Sequence, residues 1–282
     1  MKIIDSIPFW NEYDVLELRL GTMYDYVDEF IIVEGDRTYS GVYKGFNFEK
    51  HKDRYAPWLD KITYIKTENC PNWPNPWDNE QWQREQFSKV WDHVEKDDVV
   101  IVTDLDEIVR PEAIEFMRNT DYGFYKLWLL GAYFKFNYID TRPTGGHYAP
   151  WGKAFRGWKS NHNDMRYSDG VEGKESVWLE HAGWHFGWIG DENFLKHKLG
   201  SFSHTELNIP PILNSIDINK HIANGTDHIR PGSFWRPVKL DNYFPKYLLD
   251  NKEKFSQFIL PDPEETVSNY IPGNILDIRE QK

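Results

Sequence analysis

Hydrophobic and polar positions in the first half of the chain alternate between two periods, the short apolar runs of buried strands and the wider spacing of amphipathic helices. Apolar runs predict strands at residues 2–7, 30–34, 61–66 and 98–103. Helical spacing predicts helices at residues 11–28, 78–94 and 111–119. Strands that alternate with helices are typical of βαβ units, so this half predicts an α/β fold with a mainly parallel sheet.

The second half of the chain has a different pattern. Residues 122–138 and 153–158 are β-like and rich in aromatic side chains, which predicts a mixed central sheet instead of further βαβ units. One more strand is predicted at residues 176–186, and one more helix at residues 191–203. The complete pattern predicts a mixed central sheet flanked by helices.

Two stretches lack a regular period. Residues 35–58 are polar, aromatic and rich in glycine, which predicts a long surface excursion beside a cleft. Eight prolines follow residue 207, and they predict a C-terminal arm of short helices instead of a second sheet domain. We therefore expect one main domain, residues 1–207, with the arm of residues 208–282 packed on it.

Composition limits the classes of function. Of the 282 residues, 40% are hydrophobic and 28% are charged, which is typical of a folded globular protein. Subtracting 45 acidic from 33 basic residues gives a net charge of -12, which disfavours a nucleic-acid partner. The single cysteine, Cys70, cannot form an intrachain disulfide, and no apolar run reaches the roughly 18 residues that cross a bilayer. These features predict a cytoplasmic protein without an integral membrane segment.

An acidic cluster follows the strongest strand signal. Asp104, Asp106 and Glu107 come directly after the predicted buried strand, at the sheet edge where open α/β folds bind ligands. Two carboxylates in an Asp-x-Asp pattern can hold a divalent cation that keeps positions open for phosphate oxygens. This arrangement suits a reaction in which a nucleoside diphosphate leaves.

Three other interpretations of these features stay open. The cluster can be a solvated acidic turn before the helix at residues 111–119. It can also be the nucleophile motif of a haloacid dehalogenase-type phosphatase, with Asp104 as the nucleophile, although that motif normally follows the first strand. The aromatic residues, which make up 16% of the chain, also suit a non-catalytic carbohydrate-binding protein.

Several motifs follow one another in order over roughly residues 8–255. The most specific are Thr-Asp-Leu-Asp-Glu-Ile at 103–108, His-Ala-Gly-Trp-His-Phe at 181–186 and Lys-Leu-Gly-Ser-Phe-Ser-His-Thr-Glu at 198–206. The others are residues 11–20 and 30–34, Gln83 with Arg84, and Gly225, Thr226 and Asp227 followed by Arg230. Together these motifs resemble glycosyltransferase family 17.

The resemblance implies a GT-A-like nucleotide-sugar-binding fold, with residues 1–207 as the catalytic domain. It also implies an inverting transfer that depends on Mn²⁺ or Mg²⁺, since the family includes an enzyme that moves N-acetylglucosamine from UDP-GlcNAc to a glycan hydroxyl. The expected partners are therefore a nucleotide-sugar donor, with UDP as the nucleotide, and a glycan acceptor.

The resemblance also implies roles for particular residues. Asp104 and Asp106 would bridge the cation to the donor diphosphate around Leu105, with Asp106 as the more direct ligand, and Glu107 would orient them. A histidine, His185 or His204, would be the third ligand. Glu34 would hold the nucleoside and Arg84 the diphosphate.

An inverting transfer also requires a carboxylate base beside the acceptor hydroxyl. Asp191 and Glu192, which open the helix predicted at 191–203, are the first candidates, with Glu206 and Asp227 as alternatives. Residues 145–147 and 151–153 are expected to form loops that close over the donor. Sugar-stacking residues are expected among the aromatic side chains of Tyr133, Trp151, Trp158, Trp184 and Trp188.

Overall fold

A mixed β-sheet forms the centre of the computed structural model, which describes residues 1–142, 148–157, 160–230, 232, 234–261, 263–271 and 277–280. Within these ranges the strands are β1 (Ile3–Pro8), β2 (Glu29–Gly35), β3 (Ile62–Thr67), β4 (Val99–Val102), β5 (Glu107–Val109), β6 (Phe124–Gly131), β7 (Tyr138–Asp140), β8 (Tyr148–Arg156), β9 (Ser176–His185), β10 (Trp235–Pro237) and β11 (Asp277–Glu280). The main sheet has the order β11-β9-β6-β8-β4-β1-β2-β3, and β5 pairs with β9.

The direction of the strands confirms both halves of the sequence pattern. Strands β3, β2, β1 and β4 are mutually parallel, as βαβ units require. Strand β8 is antiparallel to both β4 and β6, while β6 is parallel to β9. The carboxyl ends of β1, β2, β4, β6 and β9 therefore lie at the same edge of the sheet, together with the start of β8.

The helices of the first half cover this sheet and are shorter than the pattern predicts. The α-helices in the described ranges are α1 (Tyr13–Met23), α2 (Asn47–Lys50), α3 (Pro76–Glu85), α4 (Pro111–Arg118), α5 (His162–Tyr167), α6 (Glu192–Leu199), α7 (Pro210–Ser215), α8 (Ile218–Asn224) and α9 (Lys246–Asp250). The helix predicted at 78–94 begins earlier, because Asn75 caps it and Pro76 occupies its first turn, and it continues beyond Glu85 as a 3-10 helix, Gln86–His93. None of these helices is long and apolar enough to span a bilayer.

Both faces of the sheet are buried, which explains the continuous apolar runs of β2 and β4, at residues 30–33 and 99–102. In β1, Ile3 and Ile7 pack into the large core cluster, whereas Ile4 packs into a second cluster with Val100 and Val102 of β4. Side chains of a strand alternate between faces, so the two clusters lie on opposite sides of the sheet.

The C-terminal segment contains short helices, as predicted, but it also contributes strands. Strand β10 pairs with β7, and β11 pairs with β9 at the edge of the main sheet. The side chain of Asn137 donates to the carbonyls of Val238 and Leu260 and accepts from the Leu260 amide, all within 3.0 Å. These bonds attach the arm to the loop between β6 and β7.

One buried guanidinium connects β1, α1 and the loop after β4. Arg19 of α1 pairs with Asp5 of β1 at 2.5 Å, and both side chains are fully buried. The same guanidinium donates to backbone carbonyls of the loop at 2.8, 3.1 and 2.8 Å, those of Asp104, Leu105 and Glu107. The acidic loop is therefore fixed through its backbone, which leaves its carboxylates available to the sheet edge.

We expect Arg19→Met to lower the free energy of unfolding by about 3–5 kcal/mol, because it leaves Asp5 charged and buried and frees three carbonyls. Urea denaturation at pH 7 measures this loss. Arg118→Met is the matched control: its guanidinium pairs with partly exposed Asp28, so its loss is expected to stay below about 1 kcal/mol. Equal losses in the two variants would contradict the role given to Arg19.

Candidate functional site

A cleft of about 640 Å³ opens at the edge where the carboxyl ends of the strands meet. Its walls come from the segments after β1, β2, β4, β6 and β9, from the first residues of β8, and from α3, α5 and the end of α6. Residues of the stretch predicted as a surface excursion, including Arg37, Tyr39 and Lys44, contribute to one wall. Their position confirms that this stretch helps to form a cleft.

The cleft is electropositive although the chain is acidic. Among the described residues that line it, the basic ones are Arg37, Lys44, Arg84, Lys153, Arg166, Lys198 and Arg230. The acidic ones are Glu12, Glu80, Asp104 and Asp106. Seven cationic side chains against four anionic ones leave three more cations than anions. Two of these cations, Lys44 and Arg166, also pair with carboxylates that do not line the cleft, Glu34 and Glu107, so one excess positive charge remains for an anionic ligand.

Asp104 is held by two arginines. Its Oδ1 accepts from Arg84 at 2.6 Å, and its Oδ2 accepts from Arg166 of α5 at 3.1 Å. Glu107 completes the group: it accepts from the Asp104 amide at 2.8 Å and from Arg166 at 2.6 Å. Burial opposes ionisation of Asp104, but Arg166 and Arg84 outweigh it and hold the pKa of this carboxyl far below its ordinary value.

Arg84 lies where an anion can reach it. Its side chain is only 4% exposed and also pairs with Glu80 one helical turn earlier, at 2.8 Å, and Ser203 donates to the other oxygen of Glu80. Within the part of the chain that the structure describes, the buried Arg84 Nη1 has no hydrogen-bond partner. A buried donor of this kind is costly to leave unpaired, which indicates that it serves a ligand.

A second charged group surrounds Asp106. The Lys198 ammonium lies 3.0 Å from Asp106 Oδ2 and 2.6 Å from Glu12 Oε1, and His185 Nε2 lies 3.6 Å from Asp106 Oδ1. Burial raises the pKa of Glu12. Burial acts in the same direction on Asp106, but Lys198 and then His185 outweigh it and lower the pKa of this carboxyl.

The residues around Asp106 fit a divalent cation only in part. Across the described ranges, no three His, Cys, Asp or Glu side chains are arranged to hold a metal. Asp106 Oδ1 and His185 Nε2, at 3.6 Å, have a separation that two ligands of one cation can adopt. Asp104 is engaged by arginines, and His204 lies at the rim, where it pairs with Glu206 at 2.6 Å.

Several predicted residues lie outside the cleft. Glu34 is buried beneath α2, where it accepts from the amides of Asn47 and Phe48 and pairs with Lys44 at 2.5 Å. Trp184 is in the core, with the Arg110 guanidinium 4.6 Å from its ring. Glu34 therefore has a structural setting, and Trp184 is not placed to stack on a ligand.

The predicted catalytic carboxylates also lie away from the cleft lining. Asp191 caps α6 and accepts from the Phe194 amide at 2.7 Å, while Glu192 accepts from the Ile218 amide at 3.3 Å. The alternative, Asp227, is buried and accepts from the backbone amides of a tight turn and from an indole, the donors being Ile229, Arg230 and Trp235.

Three of the predicted stacking residues, Tyr133, Trp151 and Trp188, line the cleft. Trp188 has φ +61, a left-handed conformation that is strained for a bulky residue, and its ring lies 5.2 Å from the Lys198 ammonium. Residues 151–153, predicted as a loop, belong to β8 instead. Residues 145–147 and Trp158 lie outside the described ranges.

Sequence reasoning missed several charged residues of the site. Lys198 and Glu12 belong to two of the motifs quoted above, so a signal for them was present. Arg166 had none, because it lies in a six-residue helix without a motif and meets Asp104 only in the folded chain.

Comparison with known proteins assigns the family. The model of glycosyltransferase family 17 matches residues 1–232. The chain belongs to glycosyltransferase family 17. The resemblance stated from sequence is therefore confirmed, as is the assignment to the glycosyltransferase class. The parallel β3-β2-β1-β4 half, the mixed β8-β6-β9 half and the flanking helices likewise agree with the predicted GT-A-like fold.

One curated relative of this family 17 chain is the rat β-1,4-mannosyl-glycoprotein 4-β-N-acetylglucosaminyltransferase, 21% identical over 96% of this chain. The chain spans 57% of the length of that relative. Similar solved structures include the mannosyltransferase PcManGT from Pyrobaculum calidifontis in complex with GDP-Man and Mn²⁺, with TM-score 0.35, 14% identity and coverage of 55% of this chain and 44% of that one. Another is TarS 1-349 from S. aureus, with TM-score 0.38, 11% identity and coverage of 80% and 74%.

We expect Lys198→Met to destabilise the family 17 chain by about 3–5 kcal/mol in EDTA at pH 7, because Glu12 and Asp106 lose the ammonium that both share. Urea denaturation measures the loss. Lys246→Met, which breaks only an exposed pair with Asp250, is the control and is expected to lose less than about 1 kcal/mol. A loss below about 1 kcal/mol for Lys198→Met would show that the two carboxylates do not depend on it.

Proposed function

We propose that the chain is an inverting, cation-dependent glycosyltransferase that moves N-acetylglucosamine from UDP-GlcNAc to a glycan hydroxyl. The observation that carries this proposal is the pair of arginines, Arg84 and Arg166, converging on Asp104 at the end of β4 beside Asp106 and His185. The identity of the sugar follows the name of the rat relative. The positive cleft agrees with a donor that carries two phosphates.

The donor diphosphate is expected to bind against Arg84 and Arg166. Guanidinium groups contact phosphate oxygens through paired N–H donors, and the buried Arg84 Nη1 supplies one such donor. Asp106 and His185 would hold Mn²⁺ or Mg²⁺ next to the phosphates. The cation, when bound, supplies positive charge that stabilises the diphosphate as it leaves. The fixed guanidinium groups add to this stabilisation without having to reorient.

In an inverting transfer, the acceptor oxygen attacks the anomeric carbon while the bond from that carbon to the diphosphate oxygen breaks. The hydroxyl proton must pass to a base. Of the carboxylates that line the cleft, Glu80 is tied to Arg84, Asp104 is tied to both arginines, and Asp106 faces the cation. Glu12 is the remaining described carboxylate of the lining. It also pairs with a cation, Lys198 at 2.6 Å, but burial outweighs this lysine and raises the pKa of Glu12, which favours proton uptake.

The acceptor is expected to bind against the aromatic side of the cleft. Tyr133, Trp151 and Trp188 line it there, but Tyr133 and Trp188 are buried, and Trp151 is partly exposed. We expect the Trp151 ring to provide an apolar face for the C–H groups of a sugar. His185 lies against two of these rings, with centroids 6.3 Å from Tyr133 and 5.5 Å from Trp151. The acceptor side therefore adjoins the proposed cation ligands.

The decisive experiment is a thermal-shift series with UDP, GDP, CDP and UDP-GlcNAc, each with Mn²⁺ and with EDTA. We expect UDP and UDP-GlcNAc to raise the Tm in Mn²⁺, since a ligand that binds only the folded state stabilises it by mass action. Asp106→Asn is expected to abolish the Mn²⁺-dependent part of the shift, and Asp191→Asn, outside the cleft, to retain it.

The absence of a shift with every nucleotide would contradict the proposal. That result would favour a carbohydrate-binding protein or a phosphatase instead. The phosphatase alternative requires Asp104 to attack phosphorus, but both of its carboxylate oxygens accept hydrogen bonds from arginines. A phosphorylated Asp104, detected by mass spectrometry, would support that alternative.

Replacing the proposed base should separate binding from turnover. We expect Glu12→Gln to lower kcat by about 10²- to 10⁴-fold, the usual contribution of general base catalysis, while UDP still raises the Tm. Asp191→Asn and Glu192→Gln are expected to keep kcat within about threefold. If one of these two lost its activity while Glu12→Gln kept it, the base would be on α6.

A further inference from the structure

An exposed aromatic ring accompanies each of the two arginines that hold Asp104, on the same helix. Trp77 lies on α3 with Arg84, and its side chain is 40% exposed. Tyr167 follows Arg166 directly at the end of α5, and it is 63% exposed. Both aromatic residues line the cleft. Both rings are therefore accessible to a ligand that binds in the cleft.

The spacing on α3 matches one extended ligand. Trp77, Glu80 and Arg84 are three and then four residues apart, so they share one face of the helix, and all three line the cleft. Seven residues of α-helix correspond to about 10 Å along the axis. A molecule that binds Arg84 through a phosphate and extends along this face therefore meets Trp77 about 10 Å away, which is roughly the reach of a nucleotide from phosphate to base.

Tyr167 lies on a helix that packs against α3. Asn161, the cap of α5, donates to Glu85 at the end of α3 at 2.7 Å, so the two helices are attached to each other as well as to Asp104. Tyr167 therefore lines the same cleft as Arg84 and Trp77 of α3.

The aromatic pair is separate from the ring expected to stack on the acceptor. Helix α3 packs against β2, on one side of β4 in the sheet order. Trp151 belongs to β8, on the other side of β4. A glycan bound at that ring would have its own aromatic contact, which leaves Trp77 and Tyr167 for the remaining part of the donor.

We propose that Trp77 and Tyr167 form the nucleobase site, on whose rings the base of the donor nucleotide stacks while Arg84 and Arg166 hold its diphosphate. This inference rests on the proposed nucleotide-sugar donor. A nucleobase has a planar π-face, and stacking it on an aromatic side chain contributes strongly to affinity without requiring a particular base. The Trp77 ring also packs edge-to-face against the His204 ring, with ring centroids 4.6 Å apart and an interplanar angle of 83°.

Calorimetric titration of UDP and of inorganic pyrophosphate, both in Mn²⁺, tests the proposal. We expect Trp77→Ala and Tyr167→Ala each to weaken UDP binding by about 5- to 100-fold, the range typical of one stacking contact, and to leave pyrophosphate binding within twofold of wild type. Trp77→Phe should restore most of the UDP affinity. Trp73→Ala is the matched control, since Trp73 is 46% exposed but does not line the cleft, and it should change neither ligand. Arg84→Met should weaken both ligands.

Three results would overturn the proposal. Wild-type UDP affinity in both alanine variants would do so, and an accompanying rise in the KM for a glycan acceptor would assign the rings to the acceptor. An equal loss of UDP and pyrophosphate affinity would show that the rings act only through the phosphate site. If the wild-type chain bound UDP, GDP and CDP no more tightly than pyrophosphate, the assignment of a nucleobase site would be wrong. If it bound none of these ligands, the proposed function itself would fail.

Discussion

The buried guanidinium of Arg19 is the interaction on which the geometry of the site depends. It neutralises Asp5 inside β1 and holds three carbonyls of the loop after β4. Two carboxylates so close in sequence would otherwise repel each other and move apart in a free loop. Because the core fixes the backbone of the loop, the two carboxylates contact different basic side chains. Asp104 pairs with the two arginines, and Asp106 pairs with Lys198.

Charge sharing gives the cleft its preorganised character. Each carboxylate of the acidic loop shares a cation with another carboxylate: Arg166 also binds Glu107, and Lys198 also binds Glu12. Such groups hold their positions before any ligand arrives, so a bound anion meets charged side chains that need little reorganisation.

The sequence could predict those features that depend on neighbours along the chain. Asp104 and Asp106 follow a buried strand directly, and the order of strands and helices predicted their position at a sheet edge. Arg166 could not be predicted by pattern, because it lies in no motif and 62 residues separate it from Asp104. Lys198 lies in a quoted motif, but its contact with Asp106, 92 residues earlier, could not be predicted. Glu34 shows that a position at a strand end does not by itself place a carboxylate in the cleft. It lies near the end of β2, but its oxygens accept hydrogen bonds from backbone amides at the start of α2.

Aromatic residues show the same limit more clearly. Trp184 and Trp188 lie four residues apart, yet one is in the core and the other lines the cleft. The difference comes from the backbone: β9 ends at His185, and the left-handed conformation of Trp188 directs the chain into the segment that lines the cleft. Composition indicates how much aromatic surface a chain has to distribute, but only the register of a strand and the place where it ends decide which rings can meet a ligand.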